Sequence, residues 1–256
     1  MPQIHNQTLE QDQTLQEIVR RLARTYQPER IYLFGSRARG DFGPHSDYDL
    51  LVIVPDDAPP ERRLDRLASE SLRDLRVATS VLVHCSTYFG ARRYLKASLP
   101  GIVLREGRLL YGTEGDSTMP DGGVAKSEDT REWLRKAEED LKSAAHLFGV
   151  APPLLGTVLF HCQQAAEKAL KGFLAWHDVP FAKTHDIKDL GVACLALDTT
   201  LTDNVAGASS LTDYAWKFRY PGGDPLPSPE ATKETIEIAR ELFQAVLSRL
   251  PAECKP

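Results

Sequence analysis

The sequence predicts a small α/β domain with a mixed sheet, followed by an all-α antiparallel helical bundle. Two observations lead to this prediction. Up to residue 112, short apolar and β-branched runs alternate with amphipathic stretches, whereas beyond residue 127 only helical periodicity remains. Residues 113–127 contain Gly, Pro and small polar residues without apolar periodicity, which is typical of a linker. We therefore expect one domain over residues 1–112 and a second over 128–256.

Length and composition agree with two ordinary globular domains. The chain has 256 residues, enough for two domains that each bury a core. The net charge of −5 excludes a basic surface spread over the whole chain, so any nucleic-acid binding would need a local patch. The four cysteines form no C-x-x-C pair, which argues against a zinc site or a disulfide framework. With no long apolar segment either, we expect a cytoplasmic protein that does not span a membrane.

The elements of the first domain follow from periodicity. Apolar residues at i, i+3, i+4 and i+7 predict a helix over residues 14–24. Apolar or β-branched runs predict three strands: Ile31–Phe34, Asp49–Val54 and Val77–Cys85. Charged and apolar residues alternate in two further predicted helices, Glu61–Arg76 and Thr87–Leu104, the second broken near Pro100-Gly101. A short apolar segment, Leu109–Tyr111, ends the domain.

The second domain is predicted to be helical throughout. Apolar stripes predict helices around residues 133–148 and 159–173. Thr184 is the predicted N-cap of a helix over residues 185–197, with Asp186 in its first turn. Two further helices are predicted: Leu211–Phe218, which stops at Tyr220-Pro221-Gly222-Gly223, and Pro229–Leu250. Short loops between such helices favour an antiparallel bundle.

The loop between the first two strands carries the residues with the clearest chemistry. A strand that runs into a glycine-containing turn exposes backbone N–H groups, which can cradle the phosphates of a nucleotide. Gly35 permits close approach and Ser36 offers a hydroxyl. Asp47 and Asp49 are two residues apart on an extended segment and so point to the same side of the sheet. Paired carboxylates repel unless a divalent cation lies between them, and Mg²⁺ suits such oxygen ligands.

These residues resemble the minimal nucleotidyltransferases of the DNA polymerase β superfamily, to which the aminoglycoside nucleotidyltransferases also belong. The resemblance covers Gly35-Ser36, the Arg-x-Arg-Gly that follows, Asp47-Tyr48-Asp49 and both flanking strands. It implies that Ser36 contacts the triphosphate of an NTP, ATP foremost, and that Asp47 and Asp49 hold Mg²⁺ and are catalytic. Arg37 and Arg39 would add positive charge near the phosphates, although solvated loop arginines are an equal alternative.

The same family has a third carboxylate on a later strand, where it helps to activate the acceptor hydroxyl. Alignment places Ser80 at that position, and the predicted strand Val77–Cys85 contains no Asp or Glu. Losing a general base typically costs about 10²- to 10⁴-fold in rate. His84 is a conceivable substitute base, but a structural or exposed histidine is favoured. The resemblance therefore leaves open an active enzyme or a nucleotide-binding regulatory module that has lost turnover.

The second domain resembles a HEPN domain over nearly all of residues 128–250. The resemblance is carried by Trp133–Phe148, Phe160–Lys171, Thr184-His185-Asp186 and Phe218-Arg219-Tyr220-Pro221. It implies a helical bundle that forms a homodimer and binds nucleotides or, in a toxin branch, cleaves RNA without a metal. That branch has an Arg followed after four to six residues by His. After Arg219 the matching positions are Asp224, Pro225 and Leu226, so ribonuclease activity is disfavoured.

The polar residues of this domain have a structural and a functional interpretation. Lys168 and Lys171 are predicted to lie on a solvated helix face, with Glu167 and Lys171 as an i, i+4 pair. The alternative is that Lys168, Lys171 and Arg219 bind a phosphate group. His161 and His185 are expected to be hydrogen-bonded structural residues. The acceptor of the predicted transfer, whether a protein hydroxyl, an RNA end or a small molecule, is left open.

Overall fold

The computed structural model describes residues 12–43, 46–113, 122–181, 184–218 and 225–256, and the chain divides into two compact units between Gly122 and Gly123. Within the described residues the first unit has a sheet of order β3-β2-β1-β4. Its strands are β1 (Arg30–Phe34), β2 (Tyr48–Val54), β3 (Thr79–Cys85) and β4 (Arg108–Tyr111). β1 is antiparallel to β2 and β4, while β2 and β3 are parallel. The predicted mixed sheet is confirmed.

Helices cover both faces of this sheet. They are α1 (Gln13–Tyr26), α2 (Gly35–Arg39), α3 (Arg66–Leu72), α4 (Ser86–Arg92) and α5 (Leu99–Glu106). Because side chains alternate along a strand, Leu50 and Val52 join a core with α1 and α3, whereas Leu51 and Ile53 pack with Phe89 of α4 and Val103 of α5. Burial on both sides explains why β2 reads as a continuous apolar run.

Two predicted helices of the first unit are interrupted where the sequence did not indicate it. The single helix predicted over Glu61–Arg76 is wrong: a 3₁₀ turn at Pro60–Arg63 precedes α3, because Leu64 is extended (φ −105°, ψ 126°). The break predicted at Pro100-Gly101 lies instead between α4 and α5. Pro100 is in the first turn of α5, where its missing N–H needs no partner. Ser98 caps this helix by accepting a hydrogen bond from the Gly101 amide at 3.0 Å.

Strand β3 lies at one edge of the sheet and its residues are half-buried. The backbone amide of Val83 donates a 2.9 Å hydrogen bond to Oδ1 of Asp65, the residue that precedes α3. A carboxylate from the connection between β2 and β3 therefore accepts a hydrogen bond from one backbone amide of this edge strand.

The second unit is helical, as predicted. Its helices are α6 (Gly122–Gly149), α7 (Leu155–Trp176), α8 (Ile187–Leu195), α9 (Thr202–Ala208) and α10 (Pro229–Ser248). α7 is buried along most of its length and packs against α8 and α10. α6 begins inside the predicted linker, so residues 122–127 are helical and do not belong to a linker. No helix in the described ranges is long and apolar enough to cross a bilayer.

The boundaries around α8 and α9 differ from prediction. Thr184 is not the N-cap of α8. That role belongs to Asp186, whose Oδ1 accepts from the Lys188 amide at 2.8 Å, while the Thr184 hydroxyl accepts from the Asp186 amide. α9 was not predicted, and residues 209–215 form a 3₁₀ helix where an α-helix was expected. The predicted stop at Tyr220–Gly223 lies outside the described residues.

Candidate functional site

The turn after β1 is built around a contact that only glycine permits. Gly35 has φ +71°, in the left-handed region that L side chains rarely adopt. A Cβ atom at this position would lie 2.3 Å from Oδ2 of Asp49. The carboxylate of Asp49 therefore occupies the space that a side chain at residue 35 would need. The structure thus brings the turn and one of the predicted ligand carboxylates into direct contact.

Strand pairing fixes what surrounds Asp49. Asp49 is the second residue of β2 and pairs with Phe34 of β1 and with Ser80 of β3. Paired residues on neighbouring strands point to the same face of a sheet. Ser80 therefore flanks Asp49 at the position where the third carboxylate was expected. Asp47 is exposed and immediately precedes β2.

The donor set fits a magnesium ion that shares its coordination with a nucleotide. Mg²⁺ in such sites takes one or two carboxylates from the protein and its other ligands from phosphates and water. Asp47 and Asp49 supply two carboxylates, and the Ser36 and Ser80 hydroxyls are further oxygen donors. Within the described ranges, no three His, Cys, Asp or Glu side chains group together as a metal site.

Tyr48, between the two aspartates, anchors this segment to helix α1. Its ring is buried on the α1 side of the sheet, and its hydroxyl donates to Oδ2 of Asp12 at 2.9 Å. The other oxygen of Asp12 caps α1 by accepting from the Leu15 amide at 2.9 Å. Burial and the hydrogen bond to Asp12 raise the pKa of Tyr48, so the hydroxyl stays protonated. Sequence reasoning missed this contact, although an Asp before a predicted helix is a capping signal.

The two predicted arginines play different parts. Nε of Arg37 donates to the Ser46 carbonyl at 2.9 Å, and its guanidinium lies 3.9 Å from the centroid of the Tyr48 ring. Arg37 thus fastens the loop before Asp47. Arg39 is 45% exposed and forms longer contacts, 3.2 Å to Asp41 and 3.7 Å to Glu106. Arg39 is therefore the more exposed of the two arginines.

His84 is too far from Asp49 to act as the base for an acceptor hydroxyl bound there. It pairs with Ile53, four residues along β3 from Ser80, which corresponds to about 13 Å at about 3.3 Å per residue. Its Nδ1 is buried without a hydrogen-bond partner, and its ring contacts the edge of Tyr88 at 4.6 Å between centroids. Burial lowers the pKa of His84. The structural interpretation of this histidine is therefore the one that the geometry supports.

The lowered pKa of His84 makes the first unit sensitive to acid. The imidazole of His84 binds its proton at higher pH in the unfolded chain than in the folded one. The free energy of unfolding is therefore at its full value above pH ~6.5 and decreases as the pH falls below ~6.5. We expect amide exchange in residues 79–85 to accelerate between pH 7 and 5.5, after correction for the chemical exchange rate, and His84→Phe to remove this acceleration. Exchange in α10, which contains no histidine, serves as the internal control. An unchanged pH dependence in His84→Phe would contradict the assignment.

The second unit contains a buried polar cluster around Glu167. Its carboxylate accepts from Lys171 Nζ at 2.7 Å and Gln163 Nε2 at 2.9 Å, and lies 3.1 Å from His185 Nδ1. Burial alone would raise the pKa of Glu167, but the hydrogen bonds from Lys171 and Gln163 outweigh it and the pKa is lowered. The i, i+4 pair is confirmed. The solvated face is wrong for Lys171, whose side chain is only 8% exposed, because Glu167 draws it inward.

Both lysines proposed as phosphate ligands already face carboxylates. Lys168 pairs with Asp140 of α6, which also lies 2.8 Å from His161 Nδ1. The positive charges of Lys168 and Lys171 are thus neutralised within the unit. Arg219, the third residue of that alternative, lies outside the described residues. His161 and His185 both make the hydrogen bonds expected of structural histidines.

Comparison with known proteins matches two family models to this chain: a nucleotidyltransferase domain over residues 15–108 and a HEPN domain over residues 130–250. No curated protein matches. Among solved structures, TT1696 from Thermus thermophilus is 30% identical over 47% of this chain and 98% of its own, with a TM-score of 0.41. ST0689, an archaeal HEPN homologue, is 24% identical over 47% of this chain and 96% of its own, with a TM-score of 0.39. The chain carries a nucleotidyltransferase domain followed by a HEPN domain.

Proposed function

We propose that the first domain binds a nucleoside triphosphate with Mg²⁺ and transfers its nucleoside monophosphate to an acceptor hydroxyl. The observation that supports this most is the close approach of Asp49 to Gly35. It puts a carboxylate against the turn at Gly35, the residue that has no side chain, so phosphates at the turn and a cation on the carboxylates would be neighbours. The cation would neutralise the phosphates and favour in-line displacement, in which the acceptor oxygen bonds to the α-phosphorus as pyrophosphate leaves.

The residues around this contact have separate tasks in the proposed reaction. Asp47 and Asp49 hold the cation, and the Ser36 hydroxyl and the Gly35 turn bind the triphosphate. Arg39, exposed at the end of α2, adds positive charge near the phosphates. Arg37 acts indirectly, because its bond to the Ser46 carbonyl holds the loop that leads into Asp47.

A second candidate function is supported by Ser80. The residue opposite Asp49 on β3 is a serine, whose hydroxyl is not a base near neutral pH, and β3 contains no Asp or Glu. The acceptor hydroxyl would therefore lack a carboxylate to take its proton. Binding through Asp47 and Asp49 would survive this loss better than turnover. The domain would then act as a nucleotide-binding regulatory module.

Restoring the carboxylate separates the two candidates. Purified protein is incubated with α-labelled ATP, the other labelled triphosphates, Mg²⁺ and candidate acceptors. Label transfer by the wild type would establish the enzyme. If the wild type is inactive and binds nucleotide, we expect Ser80→Asp to raise transfer by about 10²- to 10⁴-fold, the contribution of a general base. Ser86→Asp, at the start of α4 beyond the other end of β3, is the control and should have no such effect. Absence of both binding and transfer in the wild type would refute both candidates.

The remaining parts of the proposal concern partners. We take ATP as the first nucleotide to test, and a protein hydroxyl or an RNA end as the first acceptors. We propose that the HEPN domain forms a homodimer, as the resemblance implies. Sedimentation equilibrium of the full chain, with its 28.5 kDa protomer, tests this directly.

A further inference from the structure

Tyr48 stands between the two carboxylates of the proposed site, but its side chain leaves the strand on the other face. The ring is 8% exposed and joins the core formed with α1, whereas Asp49 points to the face shared with Ser80. Tyr48 therefore faces away from a ligand bound at Asp49. Any influence on that ligand must pass through the backbone of Asp47 and Asp49.

Three segments meet at this ring. The hydroxyl is held by Asp12, whose second oxygen caps α1. The guanidinium of Arg37 lies over the ring and is bonded to the Ser46 carbonyl, one residue before Asp47. A hydrogen bond to a carboxylate is stronger than one between neutral groups, so Asp12 restricts the position of the Tyr48 hydroxyl. The first residue of β2 is thereby tied to α1 and to the loop that precedes it.

We infer that Tyr48, held by Asp12, is a positioning residue for Asp47 and Asp49 and thereby sets the affinity of the site for Mg²⁺ with a nucleotide. This inference rests on the proposed function. Asp47 is exposed and lies just outside the strand, so its backbone position depends on the fixed residues on either side. Ligand geometry has to be held to within about 0.5 Å. A strand end that is free to shift would weaken the cation site without abolishing it.

Tyr48→Phe tests the inference, because it removes the hydroxyl and keeps the ring under Arg37. Calorimetric titrations with ATP are carried out at a series of Mg²⁺ concentrations and in EDTA. We expect the Mg²⁺ concentration for half-maximal effect to rise on the order of 10-fold, as for other groups that orient metal ligands. Affinity for ATP in EDTA should stay unchanged. A residue with a merely structural role would lower the unfolding temperature without moving the Mg²⁺ midpoint.

Two further variants provide matched comparisons. Tyr26→Phe removes another buried hydroxyl of the same unit, one that donates to the Leu64 carbonyl at 2.9 Å, and should leave the midpoint unchanged. Asp12→Ser retains a residue that caps helices but lacks the second oxygen, and should reproduce the shift. An unshifted midpoint in Tyr48→Phe, or an equal shift in Tyr26→Phe, overturns the inference while leaving the proposed function intact. Absence of Mg²⁺-dependent binding in the wild type overturns both.

Discussion

Asp49→Asn is expected to abolish Mg²⁺-dependent nucleotide binding by the first domain. The amide keeps the shape of the side chain against Gly35 but removes the charge that attracts the cation. Changing groups that merely orient a metal ligand costs about 10- to 100-fold in affinity, so loss of the ligand itself should exceed about 100-fold. Calorimetry with ATP and Mg²⁺ measures this directly.

The control for this variant is Asp57→Asn, in the exposed loop that follows β2 at its other end. It also removes one negative charge from the domain but leaves the turn at Gly35 unchanged, so nucleotide binding should remain at the wild-type level. Circular dichroism should show that both variants are folded. An Asp49→Asn protein that binds as tightly as the wild type would refute the assignment of the cation site.

Glu167→Gln is expected to destabilise the HEPN domain strongly. The change leaves the Lys171 ammonium buried without its counter-charge, between the Trp133 and Phe181 rings at 5.5 and 5.8 Å. Removing one partner of a buried ion pair typically costs about 3–5 kcal/mol. All three tryptophans of the chain, Trp133, Trp176 and Trp216, belong to this unit, so tryptophan fluorescence during urea unfolding of the full chain reports on it alone.

A second substitution shows whether the charge is responsible. In Glu167→Gln combined with Lys171→Met, no unpaired charge remains, and most of the lost stability should return. Glu237→Gln breaks an exposed pair with Arg240 on α10 and should change the urea midpoint little. If the double variant is no more stable than Glu167→Gln, the cost arises from lost hydrogen bonds and not from the charge.

The parts of the fold that could be predicted are those with a strong local pattern. α1 is predictable because its apolar residues follow the helix period, and the strands β1–β3 because they are short apolar or β-branched runs. One error lies where a contact distant in sequence is made, and another where two neighbouring residues can both cap a helix. Asp65 lies just after the extended Leu64 that interrupts the predicted helix, and its carboxylate binds the amide of Val83, 18 residues away. The N-cap of α8 was misplaced at Thr184 because both Thr184 and Asp186 are good capping residues.

The predicted site likewise has features that the local sequence indicates and features that depend on contacts between segments. Residue types and spacing predicted Gly35, Ser36, Asp47 and Asp49 as site residues, and the alignment with the family placed Ser80 beside them. Spacing alone could not show that Asp49 fills the space at Gly35, that Tyr48 is anchored by Asp12, or that Arg37 and Arg39 face different surroundings. Each of these facts depends on a contact between segments. Periodicity likewise placed Lys171 on a helix but could not show that Glu167 holds it inside.

The carboxylate of Asp65 also bears on how this protein avoids aggregation. An edge strand with unpaired amides is a template on which another polypeptide can add a strand. β3 is an edge strand with the apolar residues Val81, Leu82 and Val83 at its centre, and there Asp65 accepts a hydrogen bond from the Val83 amide and adds negative charge. An incoming strand would have to displace a charged acceptor before it could pair. The Asp65 side chain thus helps to protect this edge of the sheet.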